Sequence, residues 1–361
     1  MSVNKQGKVY VGVSGGVDSS VSLALLKDQG YEVVGVFIRT WQPDWITCTW
    51  REERRDAMRV CAHLNVPFVE LDLEQAYKEG VVDYMIREYQ AGRTPNPDVM
   101  CNREVKFGGF LEWALAHGAE YVATGHYVAR RDNEDGSVTM LQGNDPMKDQ
   151  SYFLWMLKQE DLQHILFPLG DMSKTEVRKL AQRYRLPTAT KKDSQGICFI
   201  GDIDMKDFLR HYIDEQPGNV VDVAGHVIGT HNGTCFYTIG ERHGFVIDKE
   251  HKGTHDRPYY IIDKDIQKNL IVVSQNTTLP HIDTIVRLTD VIDNRSVLKE
   301  GMELDAQIRY RGEIKRVTIQ TYNKEKGTAM LSFSVPDVTI ARGQSLVFYK
   351  GRECLGGGII Q

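Results

Sequence analysis

The sequence predicts an α/β protein: a doubly wound parallel sheet, followed by a small central domain and a C-terminal β-barrel. In the first half, apolar runs of strand length alternate with segments of helical periodicity, which is the pattern of βαβ units. From about Gln216 the apolar runs are short and separated by Gly, Asn and Asp, which favours strands. From Met302 they become denser, as expected of a closed or nearly closed small barrel. We therefore expect domains at 1–203, 204–278 and 279–361.

The individual elements follow from these periodicities. In the first half, strands are predicted at 9–13, 32–38, 67–71 and 121–125, and helices at 51–64, 74–91, 102–117 and around 153–166. A hairpin over 128–141 is expected to turn at Asp135-Gly136. Ser173 and Glu176 form a capping box that opens a basic helix. Later strands are predicted at 220–228, 259–262, 270–273, 303–310, 315–321, 329–333 and 345–349.

Composition limits the class of protein. With 41% hydrophobic and 26% charged residues, the 361-residue chain is typical of globular proteins and long enough for two or three domains. The first eight residues lack the apolar segment of a signal peptide, and no apolar run is long enough to span a bilayer. We expect a cytoplasmic protein with no membrane partner. The net charge of −5 neither indicates nor excludes a nucleic-acid partner, because the local field decides binding.

A glycine-rich turn lies between the first strand and the first helix. Ser14-Gly15-Gly16 is followed by Val17, Asp18, Ser19 and Ser20. Adjacent glycines allow a tight turn and a close approach to a ligand, and the free N–H groups at the start of a helix bind anionic oxygens. The helix should pack one face on the sheet and end near Gly30. Because the turn has neither G-x-x-x-x-G-K-[ST] nor G-x-G-x-x-G, two better-known phosphate loops are excluded.

The turn resembles the PP-loop, S-G-G-x-D-S, of the ATP pyrophosphatase superfamily, which has an adenine nucleotide alpha hydrolase-like fold. This resemblance implies cleavage of ATP between its α and β phosphates, retention of pyrophosphate in the loop, and transfer of AMP to a substrate oxygen. An ordinary glycine-rich strand-to-helix turn is the alternative. The order of strand, motif and amphipathic helix favours the PP-loop.

The six cysteines, at 48, 61, 101, 198, 235 and 354, form no C-x-x-C pair and no zinc-type spacing, so we expect free thiols. Asp98 is a plausible N-cap that would place Cys101 in the first turn of its helix, where thiolate is favoured. Cys198 lies in a glycine-flanked loop shortly after two lysines, which also favours thiolate. Cys61, Cys235 and Cys354 have apolar neighbours and are interpreted as packing residues, whereas Cys48 stays undecided.

Three tryptophans, Trp41, Trp45 and Trp50, follow the second strand. Aromatic side chains near a nucleotide loop could stack on a base, and loop packing explains them equally well.

A closer resemblance covers nearly the whole chain. The residues that carry it are the segments 14–19, 92–98 with Cys101-Asn102, 123–127, 148–153, 196–201 and 354–360. Together they resemble the bacterial tRNA-specific 2-thiouridylases. The resemblance implies that sulfur replaces the C2 oxygen of the wobble uridine in the anticodon arm of tRNA. Since a pyrimidine carbonyl oxygen is a poor leaving group, ATP would be used to adenylate it.

The resemblance also implies which residues bind ATP and the target base. The loop would hold the phosphates, with Mg²⁺ sharing their charge, Gly125 would border the nucleotide, and Ile38 would line its base. The loop residues in question are Gly12, Val13, Ser14, Gly15, Gly16, Val17, Asp18 and Ser19. Asn96, Pro97 and Asp98 would shape the pocket for the target base, with Asp98 as general acid or base.

For sulfur transfer, the resemblance implies that Cys198 carries a persulfide received from a cysteine desulfurase or a sulfur-relay protein. The persulfide would attack the activated C2 itself or release sulfide that does. Cys101 would attack the Cys198 persulfide, which liberates sulfur and leaves a transient Cys101–Cys198 disulfide. The tRNA contacts implied by the same motifs are His126, Lys148, Asp149, Gln150, Arg309, Tyr310 and Gln344, the last three on the barrel.

Other classes of protein remain as alternatives. One is a PP-loop ligase or amidotransferase acting on a small molecule, although no glutaminase domain is visible and neither Cys101 nor Cys198 would then have a role. A related tRNA enzyme that makes lysidine would need no thiols either. A non-catalytic nucleotide sensor or RNA-binding module would bind ATP without producing pyrophosphate.

Overall fold

The computed structural model describes residues 6–46, 50–193, 203–251, 257–276, 285–335 and 340–361. Cys48 and Cys198 therefore lie outside the described residues. Within these ranges no helix has the length and apolarity needed to cross a bilayer.

A five-stranded parallel sheet forms the centre of the first domain. Its strands are β1 (Gln6–Gly12), β2 (Tyr31–Arg39), β3 (Phe68–Asp72), β4 (Tyr121–Ala123) and β7 (Ile165–Leu166). They are ordered β3-β2-β1-β4-β7, and each neighbouring pair is parallel. In such a sheet the loops after neighbouring strands meet at one edge, which is where ligands bind. The predicted doubly wound sheet is confirmed.

Helices cover both faces of this sheet. Their bounds are α1 (Val17–Asp28), α2 (Trp50–His63), α3 (Glu74–Tyr77), α4 (Tyr84–Gln90), α5 (Pro97–Met100), α6 (Phe110–Ala116), α7 (Gln159–Leu162) and α8 (Lys174–Arg183). π-helical turns over Lys78–Asp83 and Cys101–Gly109 join α3 to α4 and α5 to α6. The capping box of Ser173 and Glu176 is confirmed at the start of α8.

Two sequence predictions for these helices need correction. The expected helix around 153–166 does not form: the segment contains a 3₁₀ turn at Ser151–Phe153, the short α7 and strand β7. Its apolar side chains have different partners, since β7 extends the sheet while Trp155 packs on the barrel glycine Gly357, and this overrides the helical periodicity. Likewise, α1 is buried on nearly all sides, including Ser20 and Ser22, and not on one face only.

The central domain is a five-stranded sheet next to α9 (Met205–Arg210). Its strands are β8 (Gly218–Val221), β9 (Val227–His231), β10 (Val246–Ile247), β11 (Tyr260–Asp265) and β12 (Leu270–Ser274). They are ordered β10-β9-β8-β12-β11. The predicted strand 220–228 is thus corrected to two strands joined by a turn around Gly225, which has a φ of 87°.

The last domain is a closed six-stranded barrel. Its strands are β13 (Ile285–Asp293), β14 (Glu303–Gln307), β15 (Lys315–Asn323), β16 (Thr328–Phe333), β17 (Ser345–Lys350) and β18 (Glu353–Ile360), and β13 pairs with β18 to close it. The predicted barrel is confirmed. Sequence analysis did not predict β13 or β18. Three consecutive glycines, 356–358, give β18 a weak strand signal.

A hairpin and a turn of the first domain both contact the barrel. Strands β5 (Val128–Asp132) and β6 (Val138–Gln142) form the predicted hairpin, and β6 pairs with β18 of the barrel. In the turn at 151–153, the buried Tyr152 hydroxyl shares its one proton between the carbonyl oxygens of Ile308, at 3.2 Å, and Ser345, at 3.1 Å. A motif from the first domain therefore fastens the barrel.

We predict that Tyr152→Phe destabilises the protein without removing any apolar surface. Losing the hydroxyl leaves two buried carbonyl groups without this donor, which should lower the free energy of unfolding by about 1–3 kcal/mol. Thermal unfolding would measure the change. Tyr259→Phe is a matched control, because the Tyr259 hydroxyl makes a longer bond, 3.4 Å to the His251 carbonyl, at an exposed position. Equal melting temperatures for both variants would contradict the prediction.

Candidate functional site

The glycine loop between β1 and α1 has the geometry of an anion-binding turn. Gly15 has a φ of +69°, and a Cβ added there would lie 2.4 Å from the carbonyl oxygen of Glu53 in α2. Gly16 is the N-cap of α1 and contributes no side chain to the capping. The Ser19 hydroxyl accepts a 3.2 Å hydrogen bond from the Ser14 amide and lies 3.3 Å from the Ser14 hydroxyl. Only glycine fits at position 15, and the loop is held by its own serines.

The loop after β4 meets the glycine loop at the same sheet edge. A Cβ on Gly125 would lie 2.7 Å from the Ser19 amide nitrogen, so the two backbones are in direct contact. Gly12 ends β1, and Val13 donates its amide hydrogen to the Val36 carbonyl at 2.8 Å. Ile38, near the end of β2, is buried. The structure thus brings together the residues for which the sequence predicted ATP contacts.

Asp18 is held by two side chains that sequence analysis did not connect with it. The Tyr127 hydroxyl donates to Asp18 Oδ1 at 2.7 Å, and Lys174 Nζ donates to both carboxylate oxygens at 2.7 and 2.9 Å. Burial and the neighbouring Asp18 raise the pKa of Tyr127 well above its ordinary value, so the phenol stays protonated as a donor. Lys174 lies in the first turn of α8, a segment more than 150 residues from Asp18 along the chain.

Lys174 also belongs to a cluster of three cations around Asp193. Lys174 and Lys148 each lie 2.8 Å from a carboxylate oxygen of Asp193, and Arg178 lies 2.6 Å away. Partial burial raises the pKa of Asp193, but the hydrogen bonds from Lys148 and Lys174 outweigh it and lower the pKa to about 2. Through Lys174, the cluster connects Asp193 to Asp18 of the glycine loop.

The predicted N-cap of the Cys101 helix is wrong by two residues. Asn96 is the N-cap: its side-chain oxygen accepts from the Val99 amide at 3.2 Å, and Pro97 occupies the first helical position. Asp98 lies in the first turn, and Cys101 follows it by three residues, where the π-helical stretch begins. Because Asn96 begins the helix two residues earlier than expected, Cys101 lies just beyond the first turn.

Cys101, which was expected to favour thiolate at the start of its helix, is buried. It is 0% exposed in this structure, within the core of the first domain. The next residue, Asn102, is 3% exposed, and its side-chain amide donates to the Phe153 carbonyl at 3.2 Å. The cysteine predicted to react therefore lies beneath the protein surface.

His126 and Asp149 bond to groups inside the protein. His126 is buried, its Nδ1 lies 2.6 Å from the Thr124 hydroxyl oxygen, and burial followed by the charge of Lys106 holds its pKa well below the ordinary value. Asp149 accepts from the Gly143 and Ser151 amides at 2.9 and 3.1 Å. These contacts favour structural roles for both His126 and Asp149.

Gln150 has a similar internal partner. Its side-chain oxygen accepts from the backbone amide of Tyr127 at 3.0 Å, and its backbone amide donates to the Tyr127 carbonyl oxygen at 3.1 Å. This two-way pairing fixes Tyr127, whose hydroxyl reaches Asp18. Gln150 thus stabilises the glycine loop indirectly, by holding Tyr127 in place.

The barrel residues predicted to contact tRNA lie at the junction of the domains. Gln344 donates its side-chain amide to the Thr94 carbonyl at 2.8 Å, and Thr94 lies two residues before Asn96. Arg309 donates to the Ile239 carbonyl of the central domain at 3.1 Å. The Tyr310 ring lies 4.5 Å from the Phe153 ring, and both rings are partly exposed.

The three tryptophans pack against protein groups. Trp45 stacks on His211 of the central domain with ring centres 3.6 Å apart, and Lys78 lies over the Trp41 ring. Trp50 lines a surface cleft together with Arg51, Arg54, Arg55 and Glu70. The packing interpretation therefore accounts for Trp41 and Trp45.

The other described cysteines fit the packing interpretation. Burial raises the pKa of Cys61 and of Cys354 to about 12, so neither thiol forms a thiolate at neutral pH. Cys235 is partly buried, and burial raises its pKa as well.

Three family models match the chain in sequence order. They are described as a tRNA methyl transferase HUP domain at residues 7–202, a tRNA methyl transferase PRC-barrel domain at 206–275, and an aminomethyltransferase beta-barrel domain at 285–360. The tRNA-specific 2-thiouridylase MnmA of Streptococcus sanguinis (strain SK36) is 44% identical over 364 residues, which covers 100% of this chain and 96% of the relative. The chain belongs to the tRNA-specific 2-thiouridylase family.

A second relative agrees. The protein of the same name from Streptococcus thermophilus (strain ATCC BAA-491 / LMD-9) is 45% identical over 365 residues, again 100% of this chain and 96% of the relative. Among solved structures, NMN synthetase from Francisella tularensis aligns over 53% of this chain and 67% of its own chain. The aligned residues are 16% identical, and the TM-score is 0.33. The family resemblance predicted from the motifs is confirmed.

We predict that Asp193→Asn lowers stability at neutral pH, because Lys148, Lys174 and Arg178 lose their common counter-charge. The pKa of Asp193 is about 2 against an ordinary 3.8, so its ionised form stabilises the fold above about pH 4. This stabilisation, about 2 kcal/mol, is lost as the pH falls towards 2. Urea unfolding of wild type and variant between pH 7 and pH 3 would measure the difference.

The control for this experiment is Asp305→Asn, which breaks an ion pair with Arg316 at the barrel surface. Exposed pairs contribute little, so its effect at pH 7 should be much smaller. The prediction is wrong if wild type and Asp193→Asn have the same free energy of unfolding at pH 7. It is also wrong if their difference does not shrink as the pH falls below 4.

Proposed function

We propose that this protein catalyses ATP-dependent 2-thiolation of the wobble uridine of tRNA, giving 2-thiouridine, AMP and pyrophosphate. The observation that carries the proposal is the similarity, over the whole chain, to relatives named tRNA-specific 2-thiouridylase. The geometry of the glycine loop supports the use of ATP. The helix that carries Asp98 and Cys101 supplies an acid–base group and a thiol three residues apart.

In the first half-reaction the loop holds the phosphates of ATP. The amides at the start of α1 supply hydrogen bonds to phosphate oxygens, and Gly125 leaves room for the nucleotide beside Ser19. Lys174, which is paired with Asp18, is a further cation within reach of the loop. Mg²⁺ would share the charge of the ATP phosphates, as it commonly does with one or two carboxylates and the phosphates as ligands. The C2 oxygen of the uridine attacks the α-phosphorus, and pyrophosphate leaves.

In the second half-reaction sulfur replaces the adenylated oxygen. Cys198 receives a persulfide from a cysteine desulfurase or relay protein, and its terminal sulfur, or sulfide released from it, attacks C2 and expels AMP. Cys101 attacks the Cys198 sulfur and forms the transient disulfide, which a reductant resets. Cys101 is fully buried in this structure, so in our proposal the thiol becomes accessible during the reaction. Asp98 exchanges protons with the base, in the pocket shaped by Asn96 and Pro97.

The tRNA is held by its anticodon arm, with the uridine unstacked into the pocket. Lys148 is paired with Asp193 and partly exposed, and Arg309 and Tyr310 lie at the barrel edge, so these three are the contacts that the geometry favours. The other predicted contacts have indirect roles in our proposal. Hydrogen bonds within the first domain hold the loops that carry His126, Asp149 and Gln150. Gln344 holds the segment before Asn96 through the Thr94 carbonyl.

Methyl transfer is a second candidate, because two of the matching family models are described as tRNA methyl transferase domains. Methylation at C2 oxygen needs no thiol and releases no pyrophosphate. It would therefore give Cys101 no role.

The decisive experiment measures sulfur incorporation into unmodified tRNA with ATP and a persulfide donor, read as retardation in a mercury-containing gel. We expect thiolation by wild type and a loss of at least 100-fold in Cys101→Ser and in Cys198→Ser, while tRNA-dependent pyrophosphate release continues. Cys235→Ser is the matched control, since this thiol lies in the central domain and should leave the rate unchanged. Normal thiolation by Cys198→Ser would refute the relay, and pyrophosphate release without any thiolation by wild type would refute sulfur as the nucleophile.

We also predict that Asp18→Ala weakens ATP use and spares tRNA binding. The change removes the partner of Lys174 and Tyr127 in the loop and should raise KM for ATP or lower kcat by about 10-fold or more, because positioning of the phosphates is lost. Asp28→Ala, at the other end of α1, is the control. Pyrophosphate release and tRNA binding would be measured separately. A variant that lost tRNA binding with normal ATP affinity would contradict the assignment of the loop.

A further inference from the structure

We propose that Asn102 selects the base that enters the pocket by accepting a hydrogen bond from N3–H of uracil. The inference rests on the proposed function, since it concerns the substrate of the same site. Asn102 belongs to the motifs that carry the family resemblance, but it has no role in the reaction proposed above.

The first observation is an unpaired acceptor. Asn102 is only 3% exposed, and its Oδ1 has no hydrogen-bond partner among the residues that the structure describes. The orientation of the amide is fixed chemically, because the group facing the Phe153 carbonyl oxygen at 3.2 Å has to be the NH₂ donor. A buried carbonyl oxygen without a partner is costly, and such atoms are rare in native proteins. This one is therefore available to a ligand donor.

The second observation is the position of Asn102 on its helix. It follows Asp98 by four residues, so both side chains lie on one face, and helical side chains lean towards the N-terminus. Asn102 thus leans towards the Asn96–Asp98 segment that we assign to the target base, and it is the direct neighbour of Cys101. A π-helical stretch begins at this point, and such stretches are frequent at functional sites.

The third observation is that Asn102 is connected, through Phe153, to Tyr310, a proposed tRNA contact. Its NH₂ group is bound to the backbone of Phe153, and the Phe153 ring lies against Tyr310 of the barrel. A base inserted between Asp98 and this aromatic pair would place its hydrogen-bonding edge near Asn102. Flipped bases are commonly read by hydrogen bonds to that edge and by stacking on aromatic side chains.

The chemistry of the bases makes N3–H the informative atom. Uridine and cytidine both have a C2 carbonyl oxygen that ATP could activate, so the reaction centre alone does not distinguish them. Uridine carries a donor at N3, whereas cytidine carries an acceptor there, which would face Oδ1 with like partial charge. A site that hydrogen-bonds a substrate group rejects an analogue without it far more strongly than a site that only tests shape.

The test combines a protein variant with a substrate that lacks the N3–H donor. Wild type and Asn102→Ala are assayed for 2-thiolation of tRNA with uridine or 3-deazauridine at the wobble position; the analogue replaces N3–H by C–H, keeps the C2 carbonyl oxygen and carries a hydroxyl group at C4. The effect of the C4 hydroxyl is common to both enzymes, so we expect the preference for uridine in kcat/KM to be at least about 5-fold larger in wild type than in Asn102→Ala. The ratio is internal to each enzyme, so a partly destabilised variant is still informative.

Val105→Ala provides the control, because it truncates another buried residue of the same helical segment without removing a polar atom. It should lower both rates equally and keep the wild-type ratio. Equal ratios in wild type and Asn102→Ala, or a wild type that does not distinguish the two substrates, would overturn the role of Asn102 and leave the proposed function standing. A wild type that thiolates neither tRNA would refute the proposed function and this inference together.

Discussion

The direct contact between the Gly125 backbone and the first turn of α1 is the constraint on which the site depends. A Cβ on Gly125 would lie 2.7 Å from the Ser19 amide nitrogen, so a side chain there would push the two loops apart. Because β1 and β4 are parallel neighbours, both loops leave the sheet at the same edge. The distance between the two loops sets the direction of the amides at the start of α1. It also brings the Tyr127 hydroxyl within hydrogen-bond distance of Asp18.

Several motifs that identify the family act by joining domains. Tyr152 bonds to two barrel carbonyls, Gln344 returns from the barrel to the Thr94 carbonyl, and Gly357 admits the Trp155 ring, whose nearest atom would be 3.0 Å from an added Cβ. The segment that precedes the predicted base pocket is thus held by a domain that also offers Arg309 and Tyr310 at its edge. The position of the barrel and the position of the segment before Asn96 are therefore fixed relative to each other by packed, hydrogen-bonded groups.

Sequence reasoning predicted the parts of the site that depend on local order along the chain. The strand, glycine loop and helix at 9–28, the parallel sheet and the barrel all follow from periodicity and turn residues. It could not predict that Lys174 pairs with Asp18, because ion pairs between distant segments follow from the tertiary fold. For the same reason the burial of Cys101 was missed. A helix position shows which face a residue occupies but not what covers that face.

The charges next to the glycine loop are paired, while the chain as a whole carries −5. Lys148, Lys174 and Arg178 converge on Asp193, Lys174 also pairs with Asp18, and the Asp145 carboxylate accepts from the Lys174 amide at 3.0 Å. These three cations face three carboxylates, so the cluster has no excess charge. The group that favours an anion at the loop is therefore the set of amides at the start of α1, where the helix dipole is positive. The helix-dipole effect falls off within the first turn, so these donors select the position that an anion takes and contribute little to the approach of a polyanion from a distance.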